Sequence, residues 1–315
     1  MSTGPARDAR TGGPGHAWVL PETRRSTMPT PDDLAARRAA AGAAPRPAEV
    51  PGVEVASVRY GDVPCVVCEP SRPQGASRSQ GTAPRPRGVL VYFHGGGYRL
   101  GSAAGFTPFA ARLARATGAR VVAVDYRLAP EHPFPAALRD AAEVYGRILA
   151  GSGTPPVALG DSAGGGLAAA LAVVCARSGI PVPGALVLMS AWLDLRCGAD
   201  AYTSRAATDR LFSHQAATQA ADQYLQGHDP GDPLASPLLA DLSSFPPTLL
   251  FASTDEVLLD DTLAMASALA RAGVPTATRV ERGLPHAWPS VFPDRPESAE
   301  ALDAVAGFLR RLRPA

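Results

Sequence analysis

The rhythm of apolar and polar positions changes several times along the chain. Two short runs with β-like composition, VEVASVRY (53–60) and VPCVVCEP (63–70), are separated by Gly61-Asp62 and predict a hairpin. From Gly88 onward, unbroken apolar runs alternate with segments of helical spacing. The runs GVLVYFH, ARVVAVDY, PVALG and GALVLMSAWL read as strands, and TPFAARLARAT, PAALRDAAEVYGRIL and GGLAAALAVVCARSG lie between them as helices. Strands without polar alternation must be covered on both faces, so the pattern predicts an α/β fold: a mostly parallel sheet between two helical layers. Between Asp194 and Pro237 the alternation stops for about forty residues that hold helical segments and no strand. It resumes with strand TLLFAS, helix LDDTLAMASALARAG, strand TATRVE and helix ESAEALDAVAGFLRRL. An insertion at a strand end is a lid candidate, because ligands bind outside the carboxyl ends of parallel strands.

The N-terminal part differs. Residues 1–30 are rich in Gly, Pro, Arg and Thr and are expected to form a leader without fixed structure. Thr30-Pro31-Asp32-Asp33 is a helix start for the segment ending at Ala44. Residues 71–87 form a polar Pro/Gly loop, expected to be mobile.

At 315 residues with 46% hydrophobic and 19% charged side chains, the chain can build a sizeable core, and residues 31–315 are expected to form one domain. No apolar run approaches the roughly 18–20 residues that span a bilayer, and the N-terminus lacks a signal-peptide apolar region. A net charge of +1 gives no global field toward nucleic acid or anionic lipid. All 30 basic residues are Arg, with no Lys and no Asn. A P-loop, a pyridoxal Schiff base, a Ser–Lys dyad and a Cys–His–Asn triad are therefore excluded. Cys65 and Cys68 form a C-x-x-C within a strand, where they point to opposite faces, rather than at a helix N-terminus. Buried, reduced cysteines and a cytoplasmic location follow as expectations. No His/Cys spacing suits a metal, and no cofactor is expected.

Gly160-Asp161-Ser162-Ala163-Gly164 lies between a strand and a helix, the context of a G-x-S-x-G nucleophile elbow. The glycines allow a turn too tight for Cβ atoms, and the following helix aims its N-terminal N–H groups at the place where an oxyanion forms. His286, in a loop after a late strand, stands where a base would follow in the chain order Ser, acid, His. Two carboxylates sit at strand ends between them, Asp255 and Asp194; Glu256, Asp260 and Asp261 read as helix N-terminal charges. The run His94-Gly95-Gly96-Gly97 can turn its backbone N–H groups toward an oxyanion.

Taken together, FHGGGY (93–98), VDYRLAPEHPFPAAL (124–138), GDSAGG (160–165), DEVLLDD (255–261) and GLPHAW (283–288) resemble the bacterial hormone-sensitive-lipase family of α/β-hydrolase esterases over roughly residues 45–313. The resemblance implies an α/β-hydrolase fold with a helical cap from about 31–50 and 194–237. It implies Ser162 as nucleophile, His286 as base and Asp255 as acid. Gly96, Gly97 and Ala163 would be the oxyanion donors, and His94 would brace their loop. Two departures matter. Tyr98-Arg99 follows the glycines where the family more often has an apolar pair, which puts a cation near the acyl or alcohol pocket unless solvent takes it. Trp288 replaces a more usual Phe and would narrow a pocket wall.

The expected activity is hydrolysis of short to medium acyl esters through an acyl-enzyme. The expected partner is a small-molecule ester, with no nucleic acid and no membrane span; a homo-oligomer is compatible with the sequence. An acyltransferase, lactonase or cyclase could use the same triad. A non-catalytic binder is the remaining alternative, since plant gibberellin receptors share the fold but lack the histidine that is present here as His286.

Overall fold

The computed structural model describes residues 17–26, 28, 30–43, 50–71 and 88–312. Its strands are β1 (Val53–Tyr60), β2 (Val63–Pro70), β3 (Val89–Phe93), β4 (Arg120–Val124), β5 (Val157–Asp161), β6 (Leu186–Met189), β7 (Thr248–Ser253) and β8 (Thr276–Glu281). They form an eight-stranded sheet in the order β1-β2-β4-β3-β5-β6-β7-β8. The β1–β2 hairpin turns at Gly61-Asp62 as the sequence indicates, and β2 runs antiparallel to β4. From β4 to β8 every pairing is parallel.

The helices are α1 (Asp32–Ala43), α2 (Thr107–Thr117), α3 (Ala136–Ser152), α4 (Ala163–Arg177), α5 (Ala201–Ser204), α6 (His214–Leu225), α7 (Leu259–Arg271), α8 (Trp288–Val291) and α9 (Pro296–Arg311). The central strands are apolar throughout because both faces are covered. In β3, Val91 and Phe93 join one core with α3 and α4, while Leu90 and Tyr92 join the other with α2 and α9. Cys65 and Cys68 divide between the same two cores, as their spacing requires, and both are free thiols. Burial pushes each up to about 12, so neither supplies a thiolate near neutral pH.

Three expectations change. Strand β6 ends at Met189 rather than continuing to Leu193, because Ser190 takes a left-handed φ of 47° and turns the chain out of the sheet. Residues 17–26 do not behave as a structureless leader. Trp18 packs edge-on against Tyr145 at 6.5 Å, Val19 N–H donates to Ser178 Oγ at 2.8 Å, and Arg139 donates to the Pro21 carbonyl. Gly146 makes room for this strap, since a Cβ there would lie 3.1 Å from Trp18 Cζ2. Trp288 sits in the core against Phe251, not on a pocket wall. Residues 1–16 of the leader and 72–87 of the loop lie outside the described residues.

The insertion holds α5 and α6 and packs back on the body. Tyr224 O accepts from Phe134 N–H at 2.7 Å, and Gln226 Nε2 donates to Pro130 O at 2.7 Å. From the other side, Arg38 of α1 pairs with Glu131 at 2.6 Å and donates to Ala129 O at 2.6 Å. Both segments thus converge on the loop 129–134, beside the carboxyl ends of the parallel strands. No described helix is long and apolar enough to cross a membrane.

Candidate active site

Strand β5 delivers Ser162 to the sheet edge in a conformation that side chains rarely adopt, φ 51° and ψ −122°. Such strain costs about 1–3 kcal/mol and persists only where neighbours over-determine it. Here they do. Ser162 N–H donates to Met189 O at 2.9 Å, and its carbonyl accepts from Gly166 N–H at 3.1 Å and Trp192 N–H at 2.9 Å. The flanking glycines are demanded by backbone approach: a Cβ on Gly160 would lie 2.2 Å from Gly164 O, and one on Gly164 would lie 2.0 Å from Phe93 O.

The loop after β8 brings His286 to this serine, with Nε2 3.0 Å from Ser162 Oγ. Both residues lie below the surface, 8% and 6% exposed. Phe212 of the insertion stacks over the imidazole at 5.7 Å. On the far side of the ring, Nδ1 is 2.8 Å from Glu256 Oε2. Glu256 is fully buried, and its Oε1 accepts Ser253 N–H at 2.8 Å. With both carboxylate oxygens accepting, Nδ1 carries the proton and the Nε2 lone pair faces Ser162. Burial pulls the His286 pKa down, but the hydrogen bond and charge of Glu256, joined by Asp209 and Asp161, more than offset it and leave it raised.

The carboxylate set beside His286 is not that of the expected Asp255. Asp255 turns its carboxylate to the Thr254 hydroxyl at 2.8 Å, away from the imidazole. Its neighbour Glu256 takes the position beside His286. Helix α7 begins only at Leu259, so Glu256 precedes its first turn and is not a helix-dipole charge. Asp194 pairs with Arg196 at 2.6 Å, and Asp261 accepts the N–H groups of Leu193 and Asp194 at 2.7 and 3.1 Å. Asp260 accepts from Ala201 N–H.

Gly96 and Gly97, at φ 122° and 61°, turn the His94–Gly97 loop back on itself, and Leu100 N–H closes it onto Gly96 O at 2.9 Å. Among the described residues, the N–H groups of Gly96, Gly97 and Ala163 donate to no protein acceptor. His94 holds the loop from behind: its ring lies between Tyr126 at 4.4 Å and Phe106 at 5.5 Å, and Nδ1 meets Gly95 O at 2.8 Å. Burial lowers its pKa, which keeps the ring neutral.

Two positions that sequence reasoning did not single out belong to the same machinery. Asp161 accepts Gly95 N–H at 3.1 Å and the Tyr92 hydroxyl at 2.5 Å, and burial pushes it up to about 6. Asp209, in the insertion, accepts Leu211 and Phe212 N–H through Oδ1 at 3.0 and 2.9 Å, and Val257 N–H through Oδ2 at 3.0 Å. Thr208 adds a hydroxyl bond to Asp255 O at 2.9 Å. The insertion is thereby fastened to the loop that carries Glu256, and Phe212 to the ring of His286. Only the "D" of GDSAG was visible in sequence for Asp161; nothing local distinguishes Asp209. Among the described residues, no group of three or more His, Cys, Asp or Glu side chains is placed to hold a metal ion.

A hydroxyl, an imidazole, a carboxylate and unpaired N–H groups at one sheet edge can take a proton from a nucleophile and stabilise a tetrahedral oxyanion. Comparison with known proteins gives the same class. Residues 90–290 match a family model described as the alpha/beta hydrolase fold. An acetyl-hydrolase of Streptomyces hygroscopicus is 40% identical over 225 residues, covering 70% of this chain and 75% of the relative. An esterase of Acinetobacter venetianus is 33% identical over 227 residues, covering 71% and 75%. The crystal structure of an esterase from the bacterial hormone-sensitive lipase family superimposes with a TM-score of 0.79 and 34% identity, covering 91% of this chain and 93% of that one.

Proposed function

As a member of the alpha/beta hydrolase family, in its bacterial hormone-sensitive-lipase branch, the chain is an esterase, and we propose that it works through Ser162, His286 and Glu256 on short to medium acyl esters. Ser162 Oγ attacks the ester carbonyl while His286 Nε2 takes its proton. Glu256 holds the Nδ1–H tautomer and stabilises the imidazolium. The oxyanion is held by Gly96, Gly97 and Ala163 N–H, each donor of this kind contributing about 2.7–4 kcal/mol to the transition state. His286 then gives its proton to the departing alcohol, and water hydrolyses the acyl-enzyme by the same route in reverse. The described residues 31–43 and the insertion 194–237 act as the cap over the site.

The observation that carries this reading is the continuous chain of contacts Ser162 Oγ, His286 Nε2, His286 Nδ1 and Glu256 Oε2, at 3.0 and 2.8 Å. The presence of His286 in that chain disfavours a non-catalytic binder. Turnover of p-nitrophenyl acetate and butyrate tests the reading. Wild type is expected to turn over both continuously without an added acceptor, and Ser162→Ala to lose turnover while keeping its melting temperature. A burst that stalls until an alcohol or amine is added would instead identify a transferase.

A further inference from the structure

We propose that Arg99 reads a carboxylate carried by the ester substrate, gripping it beside the oxyanion loop. The inference rests on the esterase reading of Ser162 and narrows its substrates to esters with an acidic group.

Arg99 lies two residues beyond Gly97, and its side chain folds inward instead of reaching solvent, with 6% exposure. It packs against α6, where Nη1–H donates to the buried Gln223 Oε1 at 3.0 Å. Nη2–H makes one long contact of 3.5 Å with Ala216 O, and Nε–H is buried with no acceptor among the described residues. Among the described residues, no carboxylate forms an ion pair with it; Asp33 acts on it from further away, while Arg37 and Arg38 add positive charge. Its neighbour Arg38 differs in every respect: Glu131, Ala129 O and Arg99 O satisfy that guanidinium. A guanidinium does not lose its proton in a protein, so among the described residues this buried cation has no counter-ion. Such a charge is costly to bury unless something pairs with it.

The orientation of the unused groups indicates what pairs with it. Nε and Nη2 form the edge of a guanidinium that grips a carboxylate side-on through two parallel bonds. That edge faces Gly97: a Cβ built there would lie 3.8 Å from Nε, 4.0 Å from Nη2 and 3.4 Å from Ala220 Cβ. These are ordinary contact distances, so the guanidinium edge lies beside the oxyanion loop at Gly97. Gly97 is also one of the proposed oxyanion donors. A carboxylate gripped by that edge would therefore lie near the reacting carbonyl, in the acyl half or the alcohol half of the same short ester.

Four esters test this by acid release. Monomethyl succinate carries the acid in the acyl half and is paired with neutral methyl isohexanoate. Acetoxyacetate carries it in the alcohol half and is paired with neutral isobutyl acetate. Wild type is expected to favour the acidic member of at least one pair by about tenfold or more in kcat/KM, equivalent to about 1.4 kcal/mol. Arg99→Met should abolish that preference and leave the neutral esters within a few-fold. Arg99→Lys, a point charge without the fork, should keep part of it, and would decide the matter if the Met variant folds poorly. Wild type that favours the neutral ester in both pairs would overturn the proposal, as would a Met variant that loses both members equally. Hydrolysis of none of the four would instead count against the Ser162 reading.

Discussion

Which of two adjacent carboxylates serves His286 can be settled by comparing Glu256→Gln with Asp255→Asn. Glu256 uses both oxygens, Oε1 for Ser253 N–H and Oε2 for His286 Nδ1–H, at 2.8 Å each. A glutamine has one oxygen for these two donors. If that oxygen stays with Ser253, the amide N–H₂ faces Nδ1 and selects the Nε2–H tautomer, which cannot accept the proton of Ser162. The wrong tautomer costs about 10⁴ in kcat in the corresponding serine-protease substitution, or about 5.4 kcal/mol at 1.36 kcal/mol per decade. If the amide flips, two buried donors oppose each other at Ser253, costing about 1–3 kcal/mol of stability. Glu256→Gln is therefore expected to lower kcat for p-nitrophenyl butyrate by about three to four decades. Among the described residues the Asp255 carboxylate accepts only from the Thr254 hydroxyl, a bond that asparagine can also accept, so Asp255→Asn should change kcat by no more than a few-fold. Steady-state kinetics with thermal melts on both variants provide the readout. A loss of several decades in Asp255→Asn, with Glu256→Gln near wild type, would refute the reasoning.

Asp209→Asn removes the charge that helps to raise the pKa of His286 and weakens the tie to Val257. The acid limb of the kcat/KM profile should move to lower pH, with kcat reduced about tenfold and the fold retained; an unmoved limb would make Asp209 merely structural. Asp261, pushed up to about 7 by burial, binds a proton in the folded state that the unfolded chain has released. Its contribution to stability therefore declines as pH rises from about 4 toward 7. Asp261→Asn keeps an oxygen for the two N–H groups and should flatten that decline, giving a higher melting temperature than wild type above neutrality and none of that gain near pH 4. A constant difference across the range would contradict it.

The parallel strands were legible because burial on both faces leaves a local mark, an unbroken apolar run between helices. The elbow, the glycine loop and His286 were legible because strained turns and strand-end positions restrict residue choice. The acid was not. Whether Asp255 or Glu256 meets the imidazole depends on the turn after Ser253, which a one-residue shift reverses, and both residues are carboxylates. Trp18 was missed because its partners, Tyr145 and Gly146, lie far along the chain in α3, and its own neighbours give no periodicity. Arg99 and Asp209 are charged residues whose surroundings come from the insertion, so local pattern cannot separate them from solvated charges.

Rapid acid quench during turnover of p-nitrophenyl acetate, followed by peptide mass mapping, reports directly on the reacting atom. An acetyl group on Ser162, and its absence in Ser162→Ala, is the expected result. Undiminished turnover with Ser162 never acylated, or an acetyl group on a different side chain in the productive enzyme, would contradict it.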